Sequence, residues 1–381
     1  MSPIADWAVT RRWMRWGLRV ADVLTHPLVP HACRPDRAEV RRLLLIRQGS
    51  FGDLILLLPA LERARVLFPR AQITLLVRER YRAFLEQVRP PVALWSVESW
   101  WQAACVPPLN YDAALDFHAD PRCLLLGRRH ARWLAGSGIR GGGAWLDCEV
   151  PFPRFAEAAQ RWVGMVEAAA GVPLSHARVR PRVRLAAEWQ TAGQQCWPAA
   201  APAPVLLHPG CGTPAKRWPL AFWVGLARRC VAQGWPLLIV GGPADAALGA
   251  TLAGRSGGSV VSLAGATGWD ALAGLAARAR AVVAPDTGII HLARALGTPT
   301  LALFGPQSPA VWGAAGWGGA GRDPRHLSLA HPLACSFCGR GRCACLHPPQ
   351  RYSPCMQALD VDQVWQALLA VLRPAACIAS A

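Results

Sequence analysis

Short apolar runs recur along this chain, and each closes on a small-residue turn followed by a longer stretch of helical periodicity. Residues 40–46 read as a buried strand, a turn from Arg47 to Asp53 follows, and residues 54–68 carry the helical pattern. Residues 72–77 read as a second strand and 80–88 as a second helix, with further strands at 113–117 and 131–134 and a helix over 154–171. The alternation restarts after residue 204. Strands at 205–207, 236–240, 259–263, 281–284 and 300–304 each end in a small-residue turn, with helices at 220–233 and 269–278 between them. Strands alternating with helices at this spacing predict parallel, doubly wound sheets. The chain is thus α/β in two halves. From about residue 178 to 204 it becomes rich in proline and alanine and loses its periodicity, which marks a linker. A last apolar-periodic helix, 361–372, is expected to pack back on the second sheet.

Length agrees with this division, since 381 residues accommodate two domains with separate cores. Hydrophobic residues make up 52%, yet no uninterrupted apolar run reaches the length of about 18 that a spanning helix needs. The start lacks the basic-then-apolar order of a secretory signal, so a cytoplasmic protein is expected. Most of the 13 cysteines stand singly in apolar segments, as reduced core thiols do.

The net charge of +18 changes the picture more, because it calls for an acidic partner. No nucleic-acid reader motif accompanies it, so nucleic acid is excluded in favour of an anionic membrane surface and phosphorylated substrates. Residues 7–24 form an amphipathic pattern with Trp13, Trp16, Val20 and Leu24 on one stripe and Arg11, Arg12, Arg15 and Arg19 on the other. Such a helix suits the headgroup region of an anionic bilayer. A helix packing its stripe on the protein itself would read the same way.

Candidate chemistry concentrates in the loops after the strands, where open parallel sheets bind ligands. The run His208 to Pro219, HPGCGTPAKRWP, lies between a strand and a helix and suits an anion held by backbone N–H groups. It places Gly210, Cys211 and Thr213 beside Lys216, the only lysine in the chain. A compact ammonium retained where every other basic residue is arginine points to a tight anion site on an exposed loop. Asp53 sits in the first turn of a helix, where a carboxylate can equally serve as a cap. The absence of G-x-G-x-x-G argues against a nicotinamide or flavin enzyme. Cys335, Cys338, Cys343, Cys345 and Cys355 crowd one segment near His347. Four of them, Cys335, Cys338, Cys343 and Cys355, would suit a structural zinc or iron, with free thiols as the alternative.

Two alternating halves, an early GDL turn, HPGxGxPAKRWP, GGPAD, DTGxxHLARALGTP and LFGP occur together and in order, and over residues 40–365 the chain resembles glycosyltransferase family 9. This is the bacterial heptosyltransferase family of the lipopolysaccharide inner core. The resemblance implies a GT-B fold, two Rossmann-like doubly wound domains facing a central cleft, and inverting transfer of heptose from ADP-heptose without a catalytic metal. The expected partition is a basic N-terminal segment (1–39), an acceptor-side domain (40–180), a linker (181–204), a nucleotide-sugar domain (205–360) with the cysteine segment 335–355, and a C-terminal helix and tail (361–381). Asp53 matches the family's base, and Lys216 the lysine that neutralises the leaving diphosphate. Asp286 would hold sugar hydroxyls, Thr287, Gly288 and His291 the phosphate side, and Gly242, Asp245 and Thr267 the ribose and base edge. The implied acceptor is a lipopolysaccharide core on the inner-membrane surface. The same chemistry on another acceptor, such as a protein serine, and a non-catalytic nucleotide-sugar-binding protein are the alternatives.

Overall fold

The structure, a computed structural model, describes residues 31–87, 92–150, 157–175, 179–258, 260–313, 323–345 and 351–373. They fall into two compact units divided between residues 177 and 178. The Trp/Arg pattern of residues 7–24 and the tail 374–381 lie outside the described residues.

The N-terminal unit is built on a six-stranded parallel sheet in the order β3-β2-β1-β4-β5-β6. Its strands are β1 (Arg42–Ile46), β2 (Gln72–Val77), β3 (Ala93–Ser96), β4 (Tyr111–Asp116), β5 (Ala131–Gly136) and β6 (Cys148–Glu149). The Leu-Leu-Leu-Ile end of β1 is wholly buried, as a central strand covered on both faces must be. Helices α1 (Phe51–Leu67), α2 (Arg82–Gln87), α3 (Trp100–Ala104), α4 (Pro121–His130) and α5 (Ala158–Ala169) connect and cover the sheet. Asp120 caps α4, accepting from the Arg122 backbone N–H at 3.0 Å with Pro121 opening the helix. Four strands, β3 to β6, and helices α3 and α4 lie in the stretch where sequence periodicity shows only the strands at 113–117 and 131–134.

The C-terminal unit repeats the plan with β7 (Val205–Leu207), β8 (Leu237–Ile239), β9 (Val260–Ser262), β10 (Ala281–Pro285), β11 (Thr300–Phe304) and β12 (His326–Ala330), in the order β12-β11-β10-β7-β8-β9. Its helices are α6 (Ala187–Cys196), α7 (Leu220–Ala232), α8 (Ala246–Ser256), α9 (Trp269–Arg278), α10 (Gly288–Ala295), the single turns α11 (Pro309–Trp312) and α12 (Pro354–Gln357), and α13 (Val361–Leu372). Val364, Leu368 and Val371 of α13 join the core formed with Trp223, Leu226 and Val283. The stretch expected as linker holds a helix instead. Trp189 of α6 is buried, and Gly193 meets Gly274 of α9 so closely that a Cβ on Gly274 would collide with the Trp189 carbonyl. Backbone contact between two glycines leaves no apolar periodicity to read.

Both sheets share one topology. Counted within each unit the order is 3-2-1-4-5-6, the Rossmann arrangement, and the direction of winding reverses between the first and fourth strands. That reversal lies between β1 and β4 in one unit and between β7 and β10 in the other, with Ile46 opposite Asp116 and Leu207 opposite Val283. The loops leaving these four strands border a crevice in each unit.

Candidate active site

In the C-terminal unit, the β7 loop and the β10 loop meet through charge. Lys216 ends a short helical turn, Pro214–Lys216, and its Nζ donates to Asp286 Oδ2 at 2.7 Å and to the Asp286 carbonyl at 3.0 Å. The other carboxylate oxygen of Asp286 lies 3.6 Å from His291 Nε2. Burial alone would raise the Asp286 carboxyl, but Lys216 and His291 outweigh it and hold it far below the usual carboxylate range. Lys216 is expected on an exposed loop. Its side chain is only 19% exposed, because the carboxylate draws it inward.

Thr287 stands at the N-cap position of α10, and its hydroxyl reaches His208 Nδ1 at 3.2 Å rather than the N–H groups of the helix. His208 Nε2 in turn lies 3.8 Å from Asp245. Burial lowers the His208 pKa against the opposing pull of Asp245, which favours the neutral ring. Asp245 accepts from the Gly242 backbone N–H at 3.0 Å, and a Cβ on Gly210 would strike its carboxylate. The glycine lets the β7 and β8 loops close on one another. Gly288 opens α10, where the N–H groups of Gly288 and Ile289 precede the first bond of the helix, given by Ile290 N–H to the Thr287 carbonyl at 3.1 Å. The structure therefore brings Lys216, Asp286, Thr287, Gly288 and His291 together and joins them through His208 to Gly210, Gly242 and Asp245. Cys211 bonds within its own loop, its Sγ 3.1 Å from the Thr213 carbonyl, and burial pushes its thiol pKa up. Thr267 stands apart after β9, where Gly265 ties its loop to Gly241 rather than to Lys216. The hydroxyls of Thr213 and Thr267 and His291 Nδ1 are buried and have no hydrogen-bond partner among the described residues. Buried polar groups nearly always have a partner in a native protein, so these three are available to bond a ligand.

The cysteine segment adjoins this region. Gly339 N–H donates to the Pro306 carbonyl at 2.7 Å, and Ala215 N–H donates to the Gly341 carbonyl at 3.3 Å. The segment thus touches the loops after β11 and β7. Cys335, Cys338, Cys343, Cys345 and Cys355 line one cavity. Hydrogen bonding by Cys335 and Cys343 raises the Cys345 thiol, and burial pushes Cys355 up to about 11. Among the described residues no three His, Cys, Asp or Glu side chains group as ligands for a metal ion, and His347 lies outside them. All five are free thiols, and Cys345 hydrogen-bonds with Cys335 and Cys343.

In the N-terminal unit Asp53 occupies the third position of α1. Its Oδ2 accepts from the Ser50 backbone N–H at 2.7 Å and from the Ser50 hydroxyl at 3.0 Å, and its Oδ1 pairs with Arg47 at 2.8 Å. Burial raises the Asp53 carboxyl, yet Arg47 and the Ser50 bonds lower it on balance, so it is ionised at neutral pH. A Cβ on Gly49 would run into Oδ2. Arg47 also donates to the Phe117 carbonyl and stacks 4.6 Å over the Trp162 ring, clamping the β1 loop to the β4 loop. Asp116, wholly buried at the end of β4, is pushed up to about 7 by burial despite bonds from Ala119 N–H at 2.7 Å and His118 N–H at 3.3 Å. His208, Arg47, Asp116 and His118 belong to these sites without carrying a role that the sequence alone shows. His208 opens the HPG run and Arg47 the RQGSFGD run, so both were visible as neighbours of a motif. The other two are marked only by their place after β4.

A sequence profile described as Glycosyltransferase family 9 (heptosyltransferase) matches residues 136–321. The chain is 30% identical over 319 residues to lipopolysaccharide heptosyltransferase 1 of Pseudomonas aeruginosa, covering 77% of this chain and 85% of that protein. Its fold is similar to that of E. coli ADP-heptose lps heptosyltransferase II, with a TM-score of 0.67 at 18% identity over 87% of this chain and 98% of that one. It is also similar to E. coli heptosyltransferase WaaC with ADP-2-deoxy-2-fluoro heptose, at a TM-score of 0.61 and 19% identity over 85% and 98% of the two chains.

Proposed function

The chain belongs to glycosyltransferase family 9, the heptosyltransferases, and from that premise we propose that it transfers heptose from ADP-heptose to a lipopolysaccharide inner-core acceptor with inversion at the anomeric carbon. The observation that carries this reading is the Lys216–Asp286–His291 cluster at the crevice of the C-terminal Rossmann-like unit. A departing nucleoside diphosphate gains charge as the glycosidic bond breaks, and a fixed ammonium beside helix N–H groups stabilises that charge. Lys216 supplies the ammonium and the start of α10 supplies the N–H groups. Asp286, held ionised, positions Lys216 and accepts from sugar hydroxyls. Gly210, Gly242, Asp245 and Thr267 hold the nucleoside.

The second half of the chemistry is removal of a proton from the attacking acceptor hydroxyl, and Asp53 in the N-terminal unit takes that part. Its carboxylate is ready to accept a proton at neutral pH. It is also a weak base, so transfer occurs late, as the new bond forms and the hydroxyl becomes acidic. No cofactor takes part in these steps.

Two further statements belong to this proposal. Among the described residues no helix is long and apolar enough to cross a membrane, and we place the enzyme in the cytoplasm, peripheral on the inner membrane, on the strength of its charge and of the Trp/Arg segment. We also extend it to a structural zinc or iron on Cys335, Cys338, Cys343 and Cys355, supported by five cysteines on one cavity. Metal analysis of protein purified under reducing conditions without chelator decides that point: about one ion per chain sustains it, and none removes it. The function itself is tested by incubating the enzyme with a panel of sugar nucleotides and truncated lipopolysaccharides and weighing the products. A mass gain of one heptose from ADP-heptose alone is expected. Transfer of another sugar, or none, overturns the assignment.

A further inference from the structure

The cysteine segment crosses the loops of the C-terminal unit as a strap. The β12, β11, β10 and β7 strands lie side by side in that order and are parallel, so their loops leave one edge of the sheet. The chain leaves β12 at Ala330 and returns along that edge. Gly339 N–H bonds the Pro306 carbonyl after β11, and two residues later the Gly341 carbonyl accepts from Ala215 N–H, next to Lys216. Lys216 in turn sits on Asp286. Residues 339–341 therefore pass over the end of β10, whose loop carries Asp286, Thr287 and Gly288.

This crossing adds charge. Arg340 and Arg342 flank Gly341 and are exposed, and among the described residues neither takes a hydrogen bond or an ion pair. The segment offers them no partner, because Asp323 is the one acidic residue in 323–345 and Arg325 holds it at 2.9 Å. The loops beneath are balanced. Lys216 and Arg217 stand against Asp245 and Asp286, with Lys216 already paired to Asp286 at 2.7 Å and Arg217 bonded to the Cys211 side chain. A diphosphate entering such a place brings negative charge on both phosphates, and a desolvated anion needs a charged partner. We infer that the strap delivers Arg340 and Arg342 to the diphosphate of the nucleotide-sugar donor, as a second source of positive charge beside Lys216. This rests on the transferase reading, adds two residues to its donor site and gives the cysteine segment a part in binding. A guanidinium bonds phosphate oxygens in pairs, and a long side chain on an exposed strap can follow them as the donor seats. Arg340 also borders the cysteine cavity beside Pro306, which ties its position to the folding of the thiols.

The test uses the full chain and three probes, ADP, AMP and adenosine, with binding read by calorimetry and folding by thermal melting. The wild type is compared with R340Q/R342Q, with R340K/R342K, and with R228Q/R255Q, which removes the same charge from two exposed positions on α7 and α8. Expected for R340Q/R342Q is a loss of about tenfold or more in ADP affinity, the scale of a charge-assisted hydrogen bond, at unchanged melting. AMP should lose less and adenosine nothing. ADP binding should also become less sensitive to salt than in the wild type. R340K/R342K should return most of the affinity, since an exposed strap supplies charge more than a tight fit, and R228Q/R255Q should bind ADP as the wild type does. Equal ADP binding by wild type and R340Q/R342Q overturns the inference, as does an equal loss for adenosine, no recovery with lysine, or an equal loss in R228Q/R255Q. Absence of ADP binding by the wild type overturns it together with the donor assignment. The expected binding differences without any heptose transfer would count against the proposed function alone.

Discussion

Lys216 is held from two sides by one aspartate, and this constrains what can replace it. Its Nζ sits between the carbonyl and the carboxylate of Asp286, a fit for a compact ammonium rather than a planar guanidinium. Lys216→Arg should therefore lower heptose transfer by about 10²-fold or more, through misplaced transition-state charge, with ADP affinity changed less. Lys216→Ala should be at least as severe. It should also lower the melting temperature, because it strands a buried carboxylate beside His291 alone, a loss of about 1–3 kcal/mol. Full activity in the arginine variant would make the lysine an accident of composition. Asp53→Asn is the companion experiment: the amide keeps the Ser50 bonds as an acceptor but cannot take a proton. ADP binding should persist while transfer drops by about 10² or more. Near-normal turnover would remove Asp53 from the mechanism.

At the scale of the element, the β1 and β4 loops depend on a buried carboxyl at the end of β4. Asp116 titrates at about 7 in the fold and near about 3.9 when unfolded. Between those values the folded state holds the proton and the unfolded state does not. Stability from this group is thus full below about pH 4 and falls as pH rises to about 7. Asp116→Asn keeps one oxygen to accept the shorter bond, from Ala119 N–H, gives up the 3.3 Å bond from His118 N–H to the other oxygen, and removes the charge. Its melting temperature should exceed that of the wild type at pH 8, by an amount on the order of 1–4 kcal/mol in stability, and the gap should shrink markedly at pH 5. A gap equal at both pH values would mean that burial of this charge costs the fold nothing.

For the whole molecule, one topology is used twice, and each copy places a candidate site at the reversal of its strand order. The net charge of +18 is a property of the whole chain and bears on where it works. Electrostatic attraction to an anionic surface decays within a Debye length of about 10 Å at 0.1 M salt, so its signature is salt sensitivity. Deleting residues 1–30 should leave transfer to a soluble acceptor fragment intact and weaken binding to vesicles containing anionic lipid, most visibly at low salt. Unchanged vesicle binding would make that segment a structural one.

Much of this was legible in order along the chain. Strand and helix alternation, the linker-side restart at Val205, the lone Lys216, the Asp53 turn and the DTGxxH run are local patterns, set by periodicity and by glycine placement within a few residues. Their assignment to two parallel sheets follows from the same physics, since runs buried on both faces suit central parallel strands. Tertiary structure alone decided the rest. The α6–α9 contact rests on glycine backbones that carry no hydrophobic signal, so a proline- and alanine-rich stretch read as linker turned out to hold a helix. The pairing of Lys216 with Asp286 spans 70 positions and exists only because β7 and β10 lie side by side. Arg47, Asp116 and His118 gain meaning the same way, from β1 lying beside β4. A charge or a hydrogen bond acts over a few ångströms of space, and periodicity along the chain does not record which strands become neighbours.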